Sequence, residues 1–466
     1  MARFLFTVWP YHGHYNPCIA IGRELRVRGH EVAFLMGPGT AVDEEGFVRF
    51  PAVHLAAYVR NLVGDDGAAD GSQLYGRLTE RYTSVAESSP WARARVIRAM
   101  FREMVVGSVR AQAADVEAVL DRWPPDAIVT DVMMWGPILV THETRAVPVA
   151  PLCFFAGCLI PGPECPAPGS GLPPPRSWAT RLLNAGAGLA GRLLTRDVRA
   201  AANDVRRDFG LPPLRATVAE HAGTMPLYLV TSTPNFDFDR GDLPPSVRYV
   251  GPCLWDRSDG ESAPAWIEEC GGDGPVVYVS EGTAQVREPA LLRAAIQGLG
   301  GLPMRVVATT GRRRDPAKLQ LGSLPENVRL EAWAPHSALF PKVDVVVTNG
   351  GSGTVRGALQ AGIPLVVVPM EWDQLDNAQR IVESGAGVRL PLRKCSPERL
   401  RAAVENVLAD PRYRRNAERM AEDFARHPQA AGAAQLLEDL VAAPKLGVLR
   451  RAEDENSPNA PFVGQA

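Results

Sequence analysis

The chain has 466 residues, of which 46% are hydrophobic and 22% charged, and its formal net charge is −2. This length favours two domains over one. The balanced charge argues against a nucleic-acid-binding protein, which would carry a basic patch and a high pI, so we expect no nucleic-acid partner.

The cysteines and the apolar segments indicate where the protein works. Seven cysteines stand at irregular spacings without a C-x-x-C pair, which argues against a disulfide framework or a zinc site. They favour a reducing compartment, and we expect a cytoplasmic protein. The N-terminal "MARFLFTVWP" is apolar over too few residues for a signal peptide. No segment approaches the roughly 20 apolar residues of a membrane span, so stable membrane insertion is not expected.

The first half of the sequence alternates predicted strands with predicted helices. A strand, a helix over 17–28 and a second strand form a βαβ unit, with Pro17 suited to a first helical turn and Gly29 to a C-cap. Residues 60–122 and 176–210 are predicted to be mostly helical. The predicted strands of this half lie at 3–9, 31–36, 126–131, 147–154 and 226–234, the last of which should end the half.

The second half repeats the alternation after a region rich in proline, glycine and aspartate. Its predicted strands lie at 275–283, 304–311, 328–333, 343–350 and 364–370, and its predicted helices at 288–300, 353–361, 375–384, 397–409 and 412–441. We therefore predict an α/β protein of two Rossmann-like domains, with a ligand in the cleft between them at the carboxyl ends of the strands. The predicted boundaries are an N-terminal domain over 1–235, a linker over 236–274, a C-terminal domain over 275–444 and a disordered tail over 445–466. The last helix is expected to pack back on the N-terminal domain.

A glycine-rich turn, "TNGGSGT" at 348–354, follows a predicted strand and opens a helix. Backbone amides and the positive end of the helix dipole suit a diphosphate there. Gly351, Gly353 and Gly357 also fit a variant dinucleotide-binding turn, with Glu371 at the distance of a ribose contact. The turn alone does not choose between a dinucleotide and another diphosphate. The loop near residue 10 lacks a similar turn, which counts against a hydride-transfer enzyme.

Polar and aromatic residues follow the neighbouring strands. Trp333 is placed to stack on a nucleobase or to sit in the core. Asp373 and Gln374 are placed to bind sugar hydroxyls or to cap the next helix. In "YHGHYNP" at 11–17, a histidine in a strand-to-helix loop suits a general base, because imidazole exchanges a proton near neutral pH. Asp131 ends a strand where its carboxylate would hold such an imidazole, or would only cap a helix.

Together these segments resemble the family 1 glycosyltransferases of the two-domain glycosyltransferase B (GT-B) fold, which include bacterial natural-product and plant secondary-metabolite enzymes. The matching segments include "GHYNPCIAIGRELRVRGHEV" at 13–32, "DAIVTDVMMW" at 126–135, "VVYVSEGT" at 276–283 and the long block from Trp333 to Ile381. The likeness covers nearly the whole chain and is weak only at 55–120 and 160–225.

The resemblance implies an inverting, metal-independent transfer of a sugar from a uridine or thymidine diphosphate donor to a hydroxyl of a lipophilic small molecule, without a cofactor. It implies His14 as the catalytic base, His12 as the fallback and Asp131 as the partner of the base. The implied donor-binding residues are Ser280, Gly282, Thr283, Trp333, Ala334, Asn349, Gly350, Gly351, Ser352, Gly353, Thr354, Asp373 and Gln374. The expected acceptor-binding residues are His12, Tyr75, Met104, Trp135, Phe154 and Phe155.

Two positions depart from the family pattern. Asn349 stands where the family usually has a histidine that donates to a phosphate; an asparagine amide still donates but carries no charge. Gly357 stands where many members have an acid that grips the ribose hydroxyls. One hypothesis is a 2′-deoxyribose donor, such as a thymidine diphosphate sugar.

Several alternatives stay open at this point. A nucleotide-sugar epimerase of the same fold, or a non-catalytic homologue that binds nucleotide sugar, would use the same turn. The protein is expected to be a monomer or a homodimer. A predicted helix over 178–207 carries Arg181, Arg192, Arg196 and Arg199, a pattern typical of a solvated helix face, with contact to anionic lipid as the alternative.

Overall fold

The computed structural model describes residues 1–37, 41–64, 71–83, 90–256, 263–270, 274–282, 289–311 and 314–443, with the backbone alone at 71–73, 83 and 90–94. The predicted tail over 445–466 lies outside these ranges. The described residues form two parallel sheets, and the second sheet begins after residue 274.

The first sheet has seven strands in the order β3-β2-β1-β4-β5-β6-β7. Its central strands are buried on both faces, as in "AIVTD" at 127–131, because helices cover a parallel sheet on both sides.

The strands are β1 (Arg3–Thr7), β2 (Glu31–Met36), β3 (Val48–Pro51), β4 (Ala127–Asp131), β5 (Val149–Cys153), β6 (Tyr228–Val230) and β7 (Val247–Tyr249). The helices are α1 (His12–Val27), α2 (Ala41–Glu44), α3 (Val53–Val63), α4 (Gly71–Thr83), α5 (Pro90–Met100), α6 (Val109–Leu120), α7 (His142–Arg145), α8 (Trp178–Leu194), α9 (Arg196–Asp208) and α10 (Val218–Ala222). Two π-helical turns lie at Phe101–Val106 and Pro137–Thr141.

The second sheet has six strands in the order β10-β9-β8-β11-β12-β13. The strands are β8 (Val276–Ser280), β9 (Arg305–Thr309), β10 (Val328–Glu331), β11 (Val345–Thr348), β12 (Leu365–Val367) and β13 (Gly387–Arg389). The helices are α11 (Ala265–Glu268), α12 (Ala290–Leu299), α13 (His336–Leu339), α14 (Ser352–Gln360), α15 (Gln374–Ser384), α16 (Pro397–Ala409), α17 (Pro411–Ala425) and α18 (Gln429–Ala442). Short 3₁₀ turns occur at Pro316–Lys318, Phe340–Lys342 and Leu392–Lys394.

Some element boundaries differ from the prediction. The strand at 226–234 does not end the first half, because β7 follows it inside the predicted linker and pairs with β6. β3, β7 and β13 were not predicted, since these partly exposed edge strands lack the continuous apolar run of the central strands. The predicted helix over 412–441 is two helices, which separate just before Pro428, whose ring and missing N–H disfavour a continuous helix. The predicted helix over 178–207 is also two helices, which separate at Thr195.

The first helix begins earlier than predicted. It starts at His12, so Pro17 lies inside it rather than in its first turn. Tyr11 is the N-cap, and its carbonyl accepts the amides of His14 and Tyr15 at 2.9 and 3.0 Å. His14 therefore lies on the first turn of α1 and not in a loop, and its backbone is fixed by the helix.

The last helix returns to the first half. Ala433, Ala434 and Leu437 of α18 are buried in the core that covers one face of the first sheet. Glu438 accepts hydrogen bonds from Arg28 at 2.9 Å and contacts His30 at 2.7 Å. The chain thus joins the two halves a second time, which limits their relative movement.

Candidate functional site

His14 and Asp131 meet at the centre of the first sheet. β1 and β4 are adjacent parallel strands, and α1 leaves from β1 while Asp131 is the last residue of β4. His14 Nδ1 lies 2.6 Å from Asp131 Oδ2. Because β1 and β4 also mark the point where the strand order reverses, the pair stands where open α/β sheets bind their ligands.

Asp131 is held in place by backbone donors. Its carboxylate is buried, Oδ1 accepts the amide of Met133 at 2.8 Å, and Oδ2 accepts the amide of Trp9 at 3.4 Å. With the carboxylate fixed, His14 Nδ1 carries the proton of the shared hydrogen bond. Nε2 then presents its lone pair, and among the described residues no other group hydrogen-bonds to it. An imidazole in this tautomer is prepared to accept a proton.

Aromatic rings surround His14 on the remaining sides. The ring of Phe154 lies against the imidazole, with centroids 3.9 Å apart, and Phe155 follows at 4.3 Å from Phe154. Tyr11 lies 5.4 Å from the imidazole. His12, the other candidate base, pairs through its Nδ1 with the hydroxyl of Tyr15 in the same helix. The structure thus brings His14, and not His12, to the carboxylate.

The glycine-rich turn occupies the equivalent point of the second sheet, where β8 and β11 are adjacent. Gly350 has φ +94°, and a Cβ there would lie 2.8 Å from Val367 Cγ1, so both backbone conformation and space require glycine. The next residues, Ser352, Gly353 and Thr354, form the first turn of α14, and within the described residues their amides meet no hydrogen-bond acceptor. A Cβ added at Gly353 itself would have no other atom within 4 Å, so the space beside this residue is open. Free amides, a helix dipole and open space together suit an anion.

Asn349 makes hydrogen bonds within the protein through both polar atoms of its side chain. It is buried, and its Nδ2 donates to the carbonyl of Glu281 at 2.6 Å, while its Oδ1 accepts the amide of Gly351 at 3.3 Å. Gly282, with φ +80°, approaches so closely that a Cβ would lie 3.1 Å from Asn349 Nδ2. Asn349 therefore ties the loop after β8 to the turn after β11.

Glu281 was not singled out from the sequence. Its buried carboxylate accepts the amides of Leu291 and Leu292 at the start of α12, at 2.8 and 3.3 Å, and lies 2.9 Å from Arg314. Burial raises the pKa of Glu281, and Arg314 opposes that effect. The acid holds the loop of Ser280 and Gly282 beside the turn. Thr283, another predicted donor-binding residue, lies outside the described residues.

Asp373 and Gln374 precede and open α15. Asp373 Oδ2 accepts hydrogen bonds from Ser352 Oγ at 2.6 Å and from Asn377 Nδ2 at 2.7 Å, so it is joined to the glycine-rich turn. Gln374 is buried, and its Oε1 accepts the amides of Met370 and Glu371 at 2.9 and 3.0 Å. Gln374 thus stabilises the turn after β12 with its carbonyl oxygen.

Trp372 links this turn to the other half. It has φ +56°, an uncommon value for a residue other than glycine, and it packs against the core of the first half. Its neighbour Asp373 is thereby placed in the cleft. Phe155, Asp373 and Arg380 line this cleft together.

Trp333 and Ala334 lie just beyond β10, which ends at Glu331 rather than at the predicted Trp333. Trp333 is partly buried and Ala334 is buried. Nearby, a Cβ at Gly357 would lie 3.1 Å from Phe340 and 3.9 Å from both His336 and Leu254. A side chain at position 357 would therefore press against Phe340. Burial lowers the pKa of His336 to about 4, and Asp256 opposes that effect.

Buried contacts join the halves around the cleft. The amide of Ala156, two residues after Phe154, donates to Ser352 Oγ at 3.1 Å. Arg356 of α14 is buried and donates to the carbonyl and hydroxyl of Thr231, at the end of β6, and burial lowers its pKa to about 10. His14 and the glycine-rich turn are thus connected through the short segment from Phe154 to Ala156.

A second set of contacts lies along α15. Arg380 lies 2.6 Å from Asp237, and Asp376 accepts the amides of Gly169 and Gly171 at 2.6 and 2.7 Å. Asp237 also accepts hydrogen bonds from Tyr249 and from the amide of Cys158, so both of its oxygens are engaged within the protein. Within the described residues, no group of three or more histidine, cysteine or acidic side chains is placed to hold a metal ion.

The residues predicted for the acceptor fall into two groups. Tyr75, Met104 and Trp135 are buried in the core of the first half, and Trp135 Nε1 donates to the carbonyl of Val132 at 2.9 Å. Phe154 and Phe155 lie beside His14 and the cleft. No helix among the described residues is both long and apolar enough to cross a membrane.

Comparisons with known proteins agree with this arrangement. Residues 294–440 match the model of the erythromycin biosynthesis protein CIII-like C-terminal domain. The chain is 35% identical to 4′-demethylrebeccamycin synthase from Lentzea aerocolonigenes over 442 residues, which is 94% of this chain and 100% of the relative.

Solved structures show the same two-domain GT-B fold. A glycosyltransferase of kitacinnamycin superimposes with a TM-score of 0.67 at 23% identity, over 94% of this chain and 99% of that one. A Streptomyces sp. SF2575 glycosyltransferase, solved with thymidine diphosphate, gives 0.64 at 21% identity, over 94% and 100%. The α/β fold of two Rossmann-like halves is therefore confirmed. The chain belongs to the family 1 glycosyltransferases of the natural-product type and is a glycosyltransferase.

Proposed function

We propose that this glycosyltransferase moves a sugar from a nucleoside diphosphate donor to a hydroxyl of a lipophilic small molecule, with His14 as the base and inversion at the anomeric carbon. The observation that carries the proposal is the 2.6 Å contact of His14 Nδ1 with buried Asp131, which leaves Nε2 free. The free amides at 352–354 lie on the other half of the same cleft.

In the proposed reaction, His14 Nε2 takes the proton of the acceptor hydroxyl as its oxygen attacks the anomeric carbon. The bond from that carbon to the donor phosphate breaks, and its electron pair leaves with the nucleoside diphosphate. Asp131 stabilises the imidazolium that forms. The amides of Ser352, Gly353 and Thr354 are already oriented, so they stabilise the charge on the leaving phosphate without reorganisation. A single displacement inverts the anomeric centre.

The donor's sugar and base have separate proposed sites. Asp373, held by Ser352 and Asn377, is placed beside the turn for the sugar hydroxyls. Gln374 contributes its amide nitrogen, since its oxygen is engaged by the backbone. Trp333 and Ala334 form the proposed base site, and Trp333→Ala should weaken donor binding more than it slows transfer.

We also propose a preference for a thymidine diphosphate donor. Residue 357 is a glycine packed against Phe340, so it offers no acid to a ribose 2′-hydroxyl. The glycosyltransferase from Streptomyces sp. SF2575 was solved with thymidine diphosphate, which agrees with this choice. A deoxyribose has no 2′-hydroxyl, so it would leave no hydroxyl without a partner beside Gly357 and Phe340. Comparison of kcat/KM with thymidine and uridine diphosphate glucose checks this preference, and a clear advantage of the uridine donor would contradict it.

The proposed function is tested by incubating the protein with hydroxylated polycyclic acceptors and several donors, and reading the acceptor mass. The expected result is a gain of one sugar, and nuclear magnetic resonance of the product then gives the anomeric configuration. Donor that is converted without any acceptor would indicate an epimerase instead. Retention of the donor's configuration would overturn the single displacement.

A further inference from the structure

The helix α8 lies on the surface of the first half with its apolar side turned outward. Four of its large apolar side chains are Trp178, Leu182, Leu189 and Leu193, whose exposed fractions are 80%, 69%, 62% and 57%. At about 100° per residue, these four positions fall within an arc of roughly 60° on the helix. They form a single continuous stripe, which we call the α8 stripe.

The opposite side of α8 faces the protein and is made mostly of small or polar residues, with the partly buried Leu194 at its end. Of the whole helix only Asn184 is buried, and its Nδ2 donates to the carbonyls of Pro173 and Thr180 at 2.9 and 2.8 Å. Ala187, Gly188 and Gly191 lie on the same inward side and are only partly exposed. An ordinary surface helix shows the reverse arrangement, with its apolar side packed inward. The α8 stripe is therefore built to contact something other than the body of this chain.

The charges on α8 indicate which kind of surface fits the stripe. The helix contains Arg181 and Arg192 but no acidic residue, and both arginines fall on the same flank of the stripe. Arg196 and Arg199 continue the exposed positive charge at the start of α9. An apolar stripe with a basic flank and a tryptophan at one end is typical of a helix that lies in the interface of an anionic membrane.

We propose that α8 binds the surface of an anionic lipid bilayer, with its axis parallel to the membrane and the α8 stripe inserted among the acyl chains. At 17 residues the helix is about 25 Å long, which suits lying on a bilayer rather than crossing it. The capping box of Ser177 and Thr180 begins the helix without help from a partner, so the stripe is preformed.

A second copy of the chain fits the stripe less well. Two α8 helices that pair antiparallel through their stripes would align Trp178 with Leu193 and Leu182 with Leu189. That register brings Arg181 of one copy close to Arg192 of the other on the same flank. Two arginines on one flank would repel each other there, and the 3.9 Å contact of Arg192 with Glu220 offsets this only in part, whereas lipid phosphates would attract both.

The position of α8 would bring the opening of the cleft close to the membrane surface. The segment that leads into α8 contacts α15, because Gly169 and Gly171 donate to Asp376, and Arg176 lies 2.8 Å from Glu383. A bilayer under α8 would thus lie close to the opening lined by Phe155 and Asp373. The membrane proposal rests on the α8 stripe and does not depend on the proposed glycosyl transfer.

The test is co-sedimentation of the full chain with phosphatidylcholine vesicles that contain either no anionic lipid or roughly one third phosphatidylglycerol. We expect binding to the anionic vesicles that weakens as salt rises. Leu182→Glu with Leu189→Glu should lower the partition coefficient by at least about tenfold, because charges replace the inserted groups. Arg192→Gln with Arg196→Gln should remove the preference for anionic lipid.

Val53→Glu is the matched control, since Val53 is 59% exposed on α3 and lies outside the stripe. It should leave vesicle binding unchanged. Failure of the unaltered chain to bind anionic vesicles at low salt would overturn the proposal, as would full binding by the double glutamate variant. Self-association in analytical ultracentrifugation that this double variant abolishes would show instead that the stripe joins two copies. Thermal melts of each variant identify any loss of folding.

Discussion

At the centre of each sheet, two neighbouring parallel strands deliver loops to the same cleft, but the two centres carry different chemistry. In the first sheet, β1 and β4 lead to His14 and Asp131, an imidazole on a buried carboxylate. In the second, β8 and β11 lead to Gly282 and Gly350, where close approach of the backbone replaces side chains. We propose proton transfer at the first centre and anion binding at the second, so that a few loop residues would decide the chemistry of one shared topology.

The difference extends to how each centre is held. Asp131 is fixed by two backbone amides, so the first centre is a charged group positioned by the main chain. The second centre is a main-chain turn positioned by side chains, chiefly Asn349 and Asn377. Changes at the first centre should therefore alter the rate of transfer, and changes at the second should alter the binding of the donor.

The largest effect is expected from His14→Ala. Loss of the base should lower kcat by about 10²- to 10⁴-fold, while the donor affinity measured by calorimetry stays within about twofold. His12→Ala is the matched control on the same turn of α1 and should keep most of the activity. Equal losses in both variants would show that His14 is not the only base.

Asp131→Asn should have the next largest effect. The amide cannot stabilise an imidazolium, and it competes for the wrong tautomer of His14, so we expect kcat to fall by about 10- to 10³-fold. The donor dissociation constant should again change little, and melting temperatures would reveal any cost of replacing the buried carboxylate. If donor affinity fell by the same factor as kcat, the proposal that the first centre acts in catalysis and the second in donor binding would be wrong.

Two glycines of the second centre should separate stability from binding. Gly353→Ala fits the helix and open space, so stability should rise by up to about 1 kcal/mol, while a methyl group at the anion site weakens donor binding roughly tenfold. Gly350→Ala forces a positive φ and a contact with Val367, and should cost about 1–3 kcal/mol of unfolding free energy. Chemical denaturation and calorimetry of both variants measure these effects. Unchanged donor affinity in Gly353→Ala would contradict the assignment of the turn to the diphosphate.

The smallest expected effect is a change in the pH dependence of stability, caused by His336 in the second half. The pKa of His336 is lowered from 6.5 to about 4 by burial beside Tyr278 and Phe340, so the folded state disfavours its protonation. Its contribution is fully present above pH 6.5 and is lost as the pH falls toward 4, by no more than about 3 kcal/mol. His336→Gln should flatten this part of the stability profile measured by thermal melts at pH 4.5–7.5. An identical pH dependence in both proteins would contradict it.

Much of the fold could be predicted because its signals are local. The central strands of both sheets are continuous apolar runs, and glycine or proline marks several of their ends. The short strand β7 was not predicted, and α17 and α18 were predicted as a single helix. The edge strand β7 depends on pairing with β6, which a pattern along the chain does not contain, whereas the helix break coincides with Pro428, a local signal.

The sequence by itself determined the succession of the central strands along the chain, the glycine requirement of the turn and His14 with Asp131 as a candidate pair. Only the tertiary structure decided that His14 rather than His12 reaches Asp131, that Asn349 is engaged by Glu281, and that the α8 stripe faces away from the protein. The physical reason is distance along the chain. Residues 117 positions apart, such as His14 and Asp131, meet only when neighbouring strands end side by side. The direction of a helix face likewise depends on what it packs against.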